Sequence, residues 1–147
     1  MSTKSPRLTA VTLGVMDFHA SLRFYEALGF VRKFRATGDE IAFLDGGGIV
    51  IALWAWDKLA ADTVLPAGPE SKAFRGTTLA WNCATPAAVD DAFRRAVAAG
   101  AKPLREPETT DYGGYRGYFA DPNGHAWEIV QAPGFAFTPD GRLILPD

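Results

Sequence analysis

The chain has 147 residues, a length suited to one domain, and its composition of 48% hydrophobic, 22% charged and 12% aromatic residues is that of a globular protein, not a disordered or fibrous one. A formal charge of −2, from 15 basic and 17 acidic residues, offers no broad positive field for nucleic acid or an anionic membrane surface. The single cysteine, Cys83, excludes an internal disulfide and any cysteine-rich zinc site, and leaves His19 and His125 as the only imidazoles.

The opening MSTKSPRLTA is polar and carries no apolar signal core, and no apolar run reaches the roughly 20 residues of a membrane span, so a cytoplasmic protein is expected. Leu8 to Met16 reads as a strand with Val11, Leu13 and Val15 on one parity. Asp17 is a candidate N-cap for a helix whose Phe18, Leu22, Tyr25 and Leu28 fall at helical spacing, and Gly29 is its stop. Strand candidates follow at Phe30 to Arg35, Glu40 to Asp45 and Gly48 to Trp56. Residues 57–75 are rich in Ala, Pro and Gly without a clear period and read as a connector.

The order then restarts. Thr77 to Cys83 is a strand, and Thr85 and Pro86 open a helix as cap and first residue, with Val89, Phe93, Ala96 and Val97 on one face and Gly100 at the end. Strands recur at Lys102 to Arg105, Tyr115 to Asp121 and His125 to Gln131, the last two joined through the turn Asp121-Pro122-Asn123-Gly124. Ala10 precedes its cap Asp17 by seven residues, as Thr78 precedes Thr85. Gly48 leads Ala52 by four, as Gly124 leads Glu128. Two matched intervals in the same order point to an internal duplication.

DPNGHAWEIVQ, Asp121 to Gln131, and VTLGVMDFHASLRFYEALGF, Val11 to Phe30, are together similar to the last hairpin and the opening strand and helix of the vicinal oxygen chelate superfamily, which includes glyoxalase I, extradiol dioxygenases, fosfomycin-resistance enzymes and bleomycin-resistance proteins. The resemblance covers about Leu8 to Gln131, and the tail resembles an extension seen in some members. It implies an α+β fold in which two tandem βαβββ modules form a cupped mixed sheet around a shared cavity, with module one at about 8–56, module two at about 76–131 and an extension at 132–147. It further implies a homodimer and, in active members, a divalent metal held by one side chain from the first and the last strand of each module.

Those four ligand positions fall at Ala10, Ala52, Thr78 and Glu128, and only Glu128 carries a strong ligating group. No metal and no other cofactor is therefore expected. Strand alternation sets Thr12 beside Ala10, Trp54 beside Ala52, Asn82 beside Thr78, and Val130 beside Glu128 as the candidate wall. The opposite parity, Leu13, Val15, Ile51, Leu53, Trp81, Trp127 and Ile129, is apolar and should pack the helices.

Trp54 is a candidate ligand platform, with Glu128 as an anchor or general base. Tyr112, Tyr115 and Arg116, in the glycine-rich stretch DYGGYRGY, are candidates to close over a ligand. His19, His125 and Cys83 read as structural. The leading expectation is a metal-independent binder of an aromatic or mixed-polarity small molecule, like the bleomycin-resistance type. The alternative is a lyase or dioxygenase-type enzyme using Glu128 with a displaced metal or as a metal-free acid or base.

Overall fold

The computed structural model describes residues 6–68 and 73–147. Its first module runs β1 (Ala10–Val15), α1 (Phe18–Ala27), β2 (Val31–Lys33), β3 (Ile41–Asp45) and β4 (Val50–Ala55). The second runs β5 (Thr78–Asn82), α3 (Pro86–Ala98), β6 (Lys102–Thr109), β7 (Tyr115–Ala120) and β8 (Ala126–Gln131). Between them lies α2 (Trp56–Thr63), which takes the last residue of the expected strand Gly48 to Trp56 and the start of the 57–75 connector, of which residues 69–72 lie outside the described residues. The helix is only eight residues long, and its half-buried Trp56, Leu59 and Ala60 are too few to set it apart from the Ala- and Pro-rich sequence that follows.

Each module builds the same four-stranded sheet, in the orders β1-β4-β3-β2 and β5-β8-β7-β6. The first and last strands pair in parallel and the remaining neighbours antiparallel. Ala52 lies two residues beyond Val50, the partner of Ala10, and Glu128 lies two beyond Ala126, the partner of Thr78. The duplication inferred from spacing is therefore also a duplication of register.

The caps form as the residues dictate. Asp17 accepts from the Ala20 amide at 3.0 Å and Thr85 from the Ala88 amide at 3.1 Å, with Pro86 in the first turn where no amide hydrogen is needed. Gly29 and Gly100 follow the two C-caps at φ of 104° and 108°, the left-handed region that glycine enters without steric cost. The apolar parity of every central strand turns inward: Leu13, Val15, Ile51, Leu53, Trp127 and Ile129 join Leu22, Phe24, Tyr25, Val89 and Phe93 of the helices in one core shared by both modules.

Strand β6 extends four residues past its expected end, with two register shifts against β7, one just after Pro103 and one that passes over Pro107. A further antiparallel pair, β9 (Ala136–Phe137) with β10 (Leu143–Ile144), lies in the tail. Among the described residues no helix is long and apolar enough to cross a membrane.

A buried polar knot ties α1 to the β7–β8 turn. Tyr25 donates its hydroxyl hydrogen to Asp121 Oδ2 at 2.6 Å and accepts from Trp127 Nε1 at 3.1 Å. Asp121 Oδ1 takes the amides of Asn123 and His125, while Asn123 donates to Ser21 Oγ and accepts from the Met16 amide. Every polar group in this knot finds a partner, which is the condition for burying it without loss.

Candidate functional site

Since the odd-numbered residues of β1, β4, β5 and β8 fill the core, the even-numbered ones stand on the sheet faces turned away from the helices. In module two this face carries Glu128, half-buried, with Ala80 opposite it on β5 and Tyr118 opposite it on β7. Next along β7 is Arg116, whose side chain is only 16% exposed. It pairs with Glu108 at 3.3 Å and lies 5.9 Å from the Tyr118 ring centroid.

Burial pushes the Tyr118 phenol above its ordinary value, and the charge of Glu128 and a hydrogen bond to it act in the same direction. Arg105 adds a further contact to Glu108 at 2.6 Å. Glu128 thus sits in a patch with the Tyr118 phenol and two guanidinium groups, both of which Glu108 already pairs. Thr78 and Asn82 flank it on β5, exposed and half-buried respectively.

The corresponding face of module one is apolar at its centre, around Ala52, Phe43 and Trp54, with Thr12, Lys33 and Asp45 beside them. Trp54 lies between Gly14 of β1 and Ile41 of β3, and Ala52 lies between Thr12 and Phe43. The Trp54 ring is half-buried, with its indole nitrogen 3.5 Å from Glu40, a carboxylate held mainly by Lys58 at 2.8 Å. Ala10 and Thr12 are exposed, whereas Ala52 is buried.

The glycine-rich stretch is tighter than its composition suggests. Thr110 closes a turn between β6 and β7 through a pair of hydrogen bonds to Gly114, and a Cβ at Gly114 would stand 2.9 Å from the Gln131 carbonyl oxygen. Tyr112 is exposed at the tip of this turn. Tyr115 is on the other face of β7 from Tyr118: it packs against the core and donates its hydroxyl hydrogen to Asp90 of α3 at 2.7 Å.

Arg116 therefore meets Glu128's face and Tyr115 does not. Tyr118 had escaped the sequence reading, although the hairpin centred on the Asp121–Gly124 turn sets it directly opposite Glu128. Trp56 is not the end of a strand: it opens α2 and lies against Gly14, where a Cβ would stand 3.1 Å from the indole.

The structural readings of the remaining residues are matched by what they touch. His19 is an exposed helix residue 3.5 Å from Asp39. His125 bridges the modules through the Gly14 carbonyl, and Cys83 is buried, which raises its thiol pKa. The donor set at positions 10, 52, 78 and 128 is two methyl groups, one hydroxyl and one carboxylate. Among the described residues no three His, Cys, Asp or Glu side chains gather as a metal site. A lone carboxylate leaves most of a divalent ion's coordination to water, so these residues do not fit that ion.

Residues 7–129 match the family model of the glyoxalase/bleomycin resistance protein/dioxygenase superfamily. A glyoxalase-related enzyme from Fulvimarina pelagi is 34% identical, with a TM-score of 0.84 over 96% of this chain and 99% of its own. A glyoxalase/bleomycin resistance protein/dioxygenase from Nocardioides is 28% identical, with a TM-score of 0.72 over 90% of this chain and 88% of its own. A lactoylglutathione lyase from Agrobacterium tumefaciens shares the fold at 18% identity, with a TM-score of 0.65 over 86% and 94% of the two chains. No curated protein matches.

Proposed function

Because the chain belongs to the glyoxalase/bleomycin resistance protein/dioxygenase superfamily, we propose that it is a metal-independent small-molecule binder, holding its ligand on the sheet faces turned away from the helices. One observation carries this reading: Glu128 keeps a polar surround of Tyr118 and Arg116 while the three positions that would share a metal with it have no strong ligand. The ligand is an aromatic or mixed-polarity compound. Its ring lies on Trp54, and its donors and acceptors meet Glu128, Tyr118 and Arg116, with Thr12, Thr78, Asn82 and Tyr112 at the margin.

Titrating aromatic amines and aromatic alcohols against tryptophan fluorescence tests the assignment. Trp54→Ala and Glu128→Ala should each weaken binding by about tenfold, the scale of one well-made polar or stacking contact. Unchanged affinity in both variants removes the site.

The Tyr118–Glu128 pair also favours a second reading, a metal-free acid–base enzyme in which the carboxylate accepts a proton and the phenol donates a hydrogen bond. Turnover lost in Glu128→Gln with binding retained would select it. Stoichiometric metal in the purified protein would select instead a lyase or dioxygenase-type enzyme with a displaced ion.

The faces themselves favour a homodimer, because Ala10, Thr12, Val50, Thr78 and Ala80 are all exposed and two copies could cover them mutually. Light scattering after size exclusion gives the mass directly.

A further inference from the structure

Between the modules lies a cleft of about 720 Å³, bordered by β1, the start of α2, residues 73–77, the start of β6 and the β7–β8 turn. Of the residues in the proposed ligand wall only Thr12 reaches it. Its chemistry centres on Arg75. The guanidinium lies 5.0 Å from the Trp56 ring centroid, and Nη2 donates to the Asn123 carbonyl oxygen at 2.9 Å while standing 3.3 Å from His125 Nδ1.

His125 Nε2 is 2.8 Å from the Gly14 carbonyl oxygen, which can only accept, so Nε2 carries the proton and Nδ1 takes the hydrogen from Arg75. The imidazole also stacks on Trp56, with the ring planes at 25°. This arrangement holds one edge of the guanidinium rigidly and leaves the other unmet: Nη1 is buried with no hydrogen-bond partner, and Arg75 has no ion pair among the described residues.

A cation taken partly out of water with a donor unused is costly unless an acceptor arrives, and an oxygen anion is the acceptor a guanidinium binds best. Lys102 brings a second positive charge to the lining. The one carboxylate there, Asp121, is only 4% exposed, and both its oxygens are already occupied by Tyr25 and two backbone amides. The rest of the lining includes the apolar side chains of Val11, Leu13, Phe74, Leu79 and Leu104.

We propose that this inter-module cleft binds a small amphipathic anion, a carboxylate or phosphate ester carrying an apolar body, with its oxygens on Arg75 and Lys102 and its body between Trp56 and the apolar side chains. The site shares no charged group with the ligand wall proposed above and stands whether or not that assignment does.

Phenyl phosphate, 3-phenylpropionate and the uncharged 3-phenylpropan-1-ol are the probes, followed by the NMR resonances of the Trp56 indole N–H and the His125 ring. Both anions should shift these resonances saturably and the alcohol should not. The tighter of the two anions identifies the source as phosphate ester or carboxylate.

Arg75→Gln should weaken anion binding by about tenfold or more, the scale of a charge-assisted hydrogen bond, and Lys102→Gln by a few-fold. Glu128→Gln should leave it unchanged. Equal binding of the alcohol, or undiminished anion affinity in folded Arg75→Gln, overturns the proposal. If Arg75→Gln fails to fold, the anion-against-alcohol comparison on the wild-type protein and Lys102→Gln, altered at an exposed residue, decide it in the same way.

Discussion

Tyr25 has the most consequential single hydroxyl in the chain, since it satisfies Asp121 and Trp127 at once while fully buried. Tyr25→Phe keeps the ring but leaves a buried carboxylate oxygen and an indole N–H without their partner, and should cost roughly 1–3 kcal/mol of stability at neutral pH. Burial, followed by the Asp121 charge and the hydrogen bond to it, holds this phenol well above its ordinary value of 10.0. An acid whose pKa is raised by folding adds stability that is complete below the unfolded value and is lost as pH climbs from there toward the folded value.

Thermal unfolding of the wild type between pH 8 and 11 should therefore show an alkaline decline that is shallower in Tyr25→Phe. It should not vanish there, because the phenols of Tyr115 and Tyr118 are raised too. None of this was legible along the chain: Tyr25 and Asp121 are 96 residues apart, and helical spacing alone marks Tyr25 as one more apolar core position. Tyr118 was legible, because a hairpin turn and the alternation of strands fix which residues face each other across it.

The elements were easier to read than their junctions. The caps, the glycine stops and the inward parity follow from local chemistry, and each should respond to a local change: Asp17→Ala, losing its bond to the Ala20 amide, should lower stability by about 1 kcal/mol in a denaturant titration. Helix α2 escaped because it is only eight residues long, and with it escaped the reason for Gly14. That glycine lets the Trp56 indole lie directly on β1, and a Cβ there would meet Cε3 at 3.1 Å and the Trp56 Cα at 3.4 Å.

Gly14→Val is therefore expected to displace Trp56 from β1, at a cost of roughly 1–3 kcal/mol. The visible sign should be a change in tryptophan emission, and an emission spectrum identical to that of the wild type would show that α2 adjusts without strain. The same variant would disturb the stacking of Trp56 on His125, linking this element contact to the cleft.

At the scale of the molecule the duplication misleads if it is taken to mean two independent units. Each module has its own sheet, in the same order and register, yet neither owns a core: Phe24 of α1 lies 6.3 Å from Phe119 of β7, Tyr25 lies 6.0 Å from Trp127 of β8, and Phe30 lies 6.1 Å from Trp81 of β5, measured between ring centroids. The polar knot crosses the same boundary, and its members would be left unpaired on either side of a cut.

A module of 60 to 75 residues buries too small a share of its surface to lose such contacts and stay folded. Residues 1–75 and 76–147 produced separately should therefore each lack a cooperative thermal transition, whereas mixing them should restore one together with the near-ultraviolet signal of Trp81 and Trp127. A sharp, protein-like melt from either half alone would show that the repeat unit is also the folding unit, and that the aromatic seam only docks two finished halves.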